Sequence, residues 1–232
     1  MASVFSDILT GFTDLFYPNI CVCCSTGLMH GEKYICGHCM HELPVTGFCK
    51  EHDNPVAQAF WGRVMLENAA AIYFFKKGNR VQQLIHQIKY HGQKELGLVL
   101  GKEAGKLLRP VRFNEVDLIV PVPLHPKKLR KRGYNQSEWI ARGIAETMSK
   151  QIDTRALIRQ TATSTQTRKK RYDRWENVNS GFGLTDPDVF SGKHILLIDD
   201  VITTGATLEA CIRAVQTSPG AKVSVAALAF AS

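Results

Sequence analysis

Apolar positions along the chain fall into two rhythms that alternate. Val81, Leu84, Ile85 and Ile88 recur on one face between Arg80 and Tyr90, the spacing of an amphipathic helix. Leu96 to Leu108 repeats that period with glycines on or near the packing face, and Tyr134 to Lys150 repeats it again through Trp139, Ile140, Ile144 and Met148. Between these segments the pattern changes to short apolar runs of strand type. AAAIYFF ends at the turn KKGN, VDLIVPVPLHP runs from Val116 to Pro126, and Leu157 to Arg159 is a third, shorter run. GKHILLIDDV, from Gly192 to Val201, predicts a buried strand; GATLEACIRAVQ supplies a helix and VSVAALAF a last strand. Strand and helix in alternation predict an α/β fold with a mostly parallel sheet flanked by helices, whose ligand crevice lies at the carboxyl ends of the strands.

Two regions break the alternation. Residues 51–68, with Pro55 and Gly62, read as a connector. Gln160 to Asn177 carries small hydroxyl and basic residues with too little apolar material for a core element, so it is expected to be a flexible polar loop able to close over a charged ligand. The longest apolar runs fall well short of the roughly 18 to 20 residues that a membrane-spanning helix needs. The start MASVFSDILTGFTDLF has two acids and no basic residue, unlike a secretory leader, and the expected location is the cytoplasm.

Charge and cysteine placement add to this picture. The 29 Lys and Arg exceed the 21 Asp and Glu by 8. Two runs, KKLRKR at 127–132 and RKKRYDR at 168–174, hold five basic residues each. Such runs suit a solvated surface, phosphate or pyrophosphate, or nucleic acid. Six of the seven cysteines precede residue 50, and four form the pattern Cys21-x2-Cys24, eleven residues, Cys36-x2-Cys39. Two such pairs can set four thiolates tetrahedrally around one Zn2+, a structural staple for a segment too small to hold a core of its own. Cys23 offers a shifted register, and His30, His38 and His41 are near in sequence; the regular pairs are the expected ligands. The division is a zinc-binding module over 1–52 and the main domain over 53–232.

The densest chemistry lies in LLIDDVITTGAT. Thr203, Thr204, Gly205, Ala206 and Thr207 can turn the backbone so that N–H groups and hydroxyls converge on one phosphate at a helix start. Asp199 and Asp200 cannot bind that phosphate directly, because two negative charges repel. A ligand with a 5-phosphate in the turn and sugar hydroxyls at the acids removes the conflict. Neither the GxxxxGK[ST] of a P-loop nor the GxGxxG of a dinucleotide fold is present at this site.

ILLIDDVITTGAT resembles the signature of type I phosphoribosyltransferases, which bind 5-phosphoribosyl 1-pyrophosphate (PRPP). The paired cysteines, VPVPLHPKKLRKRGYNQ and this signature, in that order, resemble the ComF family of amidophosphoribosyltransferase-like proteins associated with competence. By that resemblance Asp199 and Asp200 address the ribose hydroxyls and Thr203 to Thr207 the 5-phosphate. Val122, Pro123, Leu124 and His125 would lie near pyrophosphate, followed by the motif Arg132, Gly133, Tyr134, Asn135 and Gln136. Arg159, Thr163, Gln166, Arg174 and Asn177 match a loop closing over PRPP. The resemblance implies Mg2+ with PRPP, attack of an unidentified acceptor on the sugar C1, stabilisation by the two acids, and neutralisation of the leaving group by Arg132 or Arg159. His125 suits acid/base exchange, loop orientation or pyrophosphate contact. The competing expectation is an accessory protein in DNA uptake or processing that binds PRPP without appreciable turnover and contacts single-stranded DNA or a competence protein.

Overall fold

The computed structural model describes residues 19–160 and 181–231. Five parallel strands form the sheet: β1 (Ala69–Phe75), β2 (Leu118–Pro121), β3 (Gln151–Ile152), β6 (His194–Ile202) and β7 (Lys222–Ala231), in the order β1-β7-β6-β2-β3. From β2 the chain moves outward to β3; from β6 it moves the other way, to β7. The adjacent pair β2 and β6 therefore flanks the point where strand order reverses, the crevice in which open α/β sheets bind ligands. β2 pairs with β6 only as far as Pro121 opposite Ile198, so Asp199 and Asp200 extend past the end of β2 while β6 stays paired with β7.

Alternation along the strands builds two cores. Leu196, Ile198, Ala226 and Leu228 face one layer, and Ile195, Leu197, Val225 and Ala227 the other. The first layer is covered by α3 (Arg80–Tyr90), α4 (Lys94–Leu108) and α6 (Gln136–Met148). The second is covered by α2 (Pro55–Gln58), α7 (Ala206–Val215) and the small antiparallel pair β4 (Leu157–Arg159) and β5 (Phe182–Leu184). Each fully buried Leu or Ile in these layers contributes roughly 1.5–3 kcal/mol.

α4 and α6 pack backbone to backbone. A Cβ on Gly101 would sit 2.2 Å from the Ile140 carbonyl oxygen, and one on Gly143 would sit 2.3 Å from that of Leu98. The glycines of the periodic pattern are thus space requirements, and they bring α6 close enough to the sheet for its first turn to meet β6. That helix is shorter than the expected 134–150: Asn135 caps it from an extended conformation, and Ser149 ends it at φ 56°.

Residues 51–68 are more ordered than a connector. Asn54 is buried, accepts from the Val56 and Ala57 N–H groups to start α2, and donates to the carbonyls of Phe48, Glu51 and Ala69. The run PKKLRKR, read from sequence only as charge, is the helix α5 (Pro126–Arg132). β4 confirms the short strand at Leu157–Arg159. Most of the expected flexible loop, with Thr163, Gln166, Arg174 and Asn177 and the basic run 168–174, lies outside the described residues. Among the described residues no helix is long and apolar enough to cross a membrane.

Candidate functional site

The cysteine module holds together as its spacing suggests. The Sγ atoms of Cys21, Cys24, Cys36 and Cys39 lie within 4.8 Å of one another, and the Cys24 and Cys36 sulfurs are 3.8 Å apart. That separation equals the edge of a tetrahedron with metal–sulfur bonds of about 2.3 Å, the Zn2+ value. The backbone N–H groups of Cys23 and Cys36 point at Cys21 Sγ, and that of Cys39 points at Cys36 Sγ, each at 3.4 Å. These are the donors that a deprotonated sulfur ligand needs. α1 (Gly37–His41) carries Cys39 into the centre. Cys23 stands outside the cluster; burial and the adjacent Cys21 push its thiol up to about 12, as expected of a packing residue. The module shares the core beneath α3, where Cys21, Ile35, Cys39 and Leu43 join Ile72, Val81 and Leu84, and Pro44 to Thr46 bond along the edge of β1.

At the other end of the molecule, β6 delivers Asp199 and Asp200 to the crevice. Asp199 Oδ1 accepts from the Ser137 hydroxyl at 3.0 Å and from the Asp200 backbone N–H at 2.8 Å. Loss of hydration, and then the charge of Asp200, push its carboxyl up to about 7. Asp200 is 5% exposed; its Oδ1 meets Lys89 Nζ, from α3, at 2.8 Å. Its Oδ2 is buried with no hydrogen-bond partner. A buried carboxylate oxygen normally has a donor, and this acceptor is left unmatched.

The turn after β6 is built for an anion. Gly205 sits at φ 74°, and a Cβ there would come within 3.0 Å of the Phe60 ring, so glycine serves both backbone and space. Gly205 stands at the N-cap of α7 and offers no capping side chain; the Ala206 N–H reaches Thr204 Oγ1 at 3.4 Å, and the turn borders a hollow of about 40 Å3. Asp199 and residues 201–208 line that hollow. Arg63 secures the turn by donating to the Thr204 carbonyl at 3.0 Å while pairing with Glu209.

The loop after β2 is fixed from α6. Buried Asn135 donates from Nδ2 to the Val122 carbonyl at 2.9 Å, and its Oδ1 accepts from the Ser137 N–H. His125 Nδ1 accepts from the Lys127 N–H and starts α5, a loop-orienting task. Arg132 is held by Gln136 Oε1 and lies over the Tyr90 ring, 5.6 Å from its centre. The structure thus gathers Asp199, Asp200, the 203–207 turn and the 122–125 loop at one switch point. Arg159 stacks on Phe182 at 4.9 Å, and no hydrogen bond or ion pair among the described residues joins it to the acids. Sequence reasoning placed neither Ser137 nor Lys89 at the acids. The signals that could have found them are their positions, in the capped first turn of α6 and the last turn of α3.

A five-stranded parallel sheet whose two acids and uncapped turn meet at the reversal of strand order defines a phosphoribosyltransferase-type protein. The family model described as phosphoribosyl transferase domain matches residues 140–232. The four-cysteine module precedes that match, an order of features that resembles the ComF type. The chain is 29% identical to the DNA utilization protein YhgH of Escherichia coli K12, covering 84% of this chain and 89% of that one. It is 24% identical to Competence protein F of Haemophilus influenzae, covering 83% and 89%, and 24% identical to Competence protein ComFC of Bacillus subtilis, covering 84% and 76%.

Proposed function

We propose that the protein binds PRPP and transfers its 5-phosphoribosyl group to an acceptor, releasing pyrophosphate. The observation that carries this reading is the orphaned Asp200 Oδ2 beside Asp199, one residue run away from an uncapped helix start. The acids accept the ribose 2- and 3-hydroxyl hydrogen bonds, which satisfies the empty oxygen. The 203–207 turn donates to the 5-phosphate from backbone N–H groups that need no reorganisation. The turn formed by Val122, Pro123, Leu124 and His125 faces the pyrophosphate, and Arg132, already fixed in place, neutralises it. Arg159, at the end of β4, supplies a second positive charge for the leaving group.

Asp199 and Asp200 are also oxygen ligands that would suit Mg2+ carried in with PRPP, and the ion would supply positive charge for the leaving pyrophosphate. Lys89 holds Asp200 in the ligand-free protein and keeps its charge compensated. As the C1–O bond lengthens, positive charge grows on the sugar, and the two carboxylates lie on the ribose side to stabilise it. Zn2+ in the four-cysteine cluster has a structural role, since all its positions are taken by sulfur.

The test is PRPP consumption and pyrophosphate release by zinc-loaded protein with Mg2+ and pooled acceptors. Acceptor-dependent turnover that disappears in an Asp199→Asn plus Asp200→Asn protein is the expected result. Absence of PRPP binding would end the proposal. A second reading is favoured by the names of the relatives, which concern DNA utilization and competence, and by the cations of α5: an accessory protein that holds PRPP without turnover and contacts single-stranded DNA. Tight PRPP binding with no turnover on any acceptor, together with salt-sensitive binding of an oligonucleotide, would select it.

A further inference from the structure

Beside Asp200, across Lys89, lies a cavity of about 290 Å3 that the ribose and 5-phosphate assignments do not use and that shares only Arg132 with the pyrophosphate assignment. Its walls are Lys89, Tyr90 and Gly92 from the end of α3, and Lys128, Lys131 and Arg132 from α5. No residue of the 122–125 loop or the 203–207 turn lines it, and the latter has its own hollow. Three of the cations, Lys128, Lys131 and Arg132, stand at i, i+3 and i+4, on one face of a helix that buries nothing.

A solvated charge run would usually mix signs or pair with acids. Among the described residues none of the five cations of α5 forms an ion pair with a carboxylate. Arg132 does not dangle either, being fixed by Gln136 and by the Tyr90 ring. Clustering like charges around a hollow costs free energy that an occupying anion offsets. The volume lies near the lower end of small-molecule pockets, roughly 300 Å3, and suits a compact ligand. A nucleic-acid strand would require a longer groove with open aromatic faces. Tyr90, although exposed, is a single ring, with the Arg132 guanidinium 5.6 Å from its centre and the His86 ring 4.7 Å away.

We infer that this cavity is the acceptor subsite and that the acceptor is a small anion, its carboxylate or phosphate held by Lys128 and Lys131. The inference rests on the PRPP reading, because it is the ribose acids that give the cavity a reaction to serve. With the anionic end anchored on α5, the attacking nitrogen or oxygen faces Lys89 and Asp200, and so the ribose. Its lone pair forms the new bond to C1 as the C1–O bond to pyrophosphate breaks, and that bonding pair leaves on the pyrophosphate oxygen. An attacking N–H or O–H sheds its proton to water. Two negative reactants approaching one another repel, and the cations of α5 remove that barrier.

Fluorine NMR of the full chain, saturated with PRPP and Mg2+, tests the assignment with 4-fluorophenyl phosphate, 4-fluorobenzoate and the uncharged 4-fluorobenzamide. Saturation with PRPP keeps the phosphate probe out of the 203–207 turn. The charged probes are expected to bind and the amide not to. In a Lys128→Gln plus Lys131→Gln protein, their affinity is expected to fall by about tenfold or more, with PRPP affinity within about twofold of the parent. Both side chains are exposed on α5, so the variant folds. Equal probe binding by parent and variant overturns the inference. So does a parallel loss of PRPP affinity, which would give the cavity to pyrophosphate, or a loss confined to oligonucleotide binding, which would make α5 a strand-docking surface. Failure of the parent to bind PRPP at all would sink the transferase reading itself, a result separate from failure of the probes in a protein that does bind PRPP.

Discussion

The cysteine module and the carboxyl edge of the sheet are both arranged for ligands, but they use them in opposite senses. In the module, four sulfurs converge within reach of one ion, so a bound metal would hold the fold. At the sheet edge the fold is already complete: β6 is paired on both sides through Ile198, α7 is formed, and Asp200 is buried with an oxygen to spare. One region is stabilised by its ligand; the other keeps a cost in reserve for its ligand to relieve. Removing a ligand or its donors should therefore affect stability in the first case and affinity in the second.

The largest effect expected is from the metal. Chelation, or Cys39→Ser, removes binding free energy on the order of 10 kcal/mol in isolated zinc modules. Limited proteolysis should then cut first within residues 19–50. PRPP affinity should survive at least in part, since no module residue touches the acids. Equal resistance of stripped and loaded protein would remove the contrast. Because Cys39 and Leu43 share a core with Leu84 of α3, the damage is expected to spread toward Lys89 before it reaches α7.

The converse change is Asp200→Asn. It keeps the shape, removes the charge that Lys89 faces, and should cost PRPP about a hundredfold in affinity, near 3 kcal/mol. Calorimetry with PRPP and Mg2+ reads the loss, and thermal melting should move little by comparison. A melting loss as large as that from chelation would show that Asp200 serves the fold first.

How legible each region was from sequence follows the same division. The module was readable to the residue because metal ligation needs fixed atoms at fixed spacing, and only the register with Cys23 was open. Asp199, Asp200 and the 203–207 turn were readable because chemistry and turn geometry coincide within nine residues. Lys89 and Ser137 were harder to see, since they reach the acids from α3 and α6 and their proximity arises only when the glycines of α4 and α6 let those helices close. Arg132 was chosen from its motif, and the helix it ends was hidden by the charge of the run. His125 and Asn135 bond the backbone on either side of the loop, contacts that show only once their partners are in place.

Acidity separates affinity from stability within a single residue. Asp199 is pushed up to about 7 from an ordinary value of 3.8, so the native state holds its proton where the unfolded chain has lost it. A raised carboxyl contributes stability that is full below about 4 and lost as pH rises through about 7. Ribose binding should move the other way, because the anionic carboxylate is the better acceptor. PRPP affinity is expected to fall up to about tenfold per pH unit below 7. Asp199→Asn should abolish that slope and be more stable than the parent at pH 8; a parent whose affinity is flat from pH 5.5 to 8 would refute the assignment.

The smallest effect tests whether the phosphate turn is as preformed as the comparison requires. Arg63 donates to the Thr204 carbonyl and pairs with Glu209, at a partly exposed position where such contacts contribute about 1 kcal/mol or less. Arg63→Met keeps the aliphatic stem and removes the donor. If α7 and Gly205 already set the turn, melting should shift by a degree or two and PRPP affinity by about threefold, the value of a weak positional bond. A loss as deep as that of Asp200→Asn would mean that Arg63 assembles the turn. The sheet edge would then share the module's character, a region whose order depends on a contact brought from elsewhere.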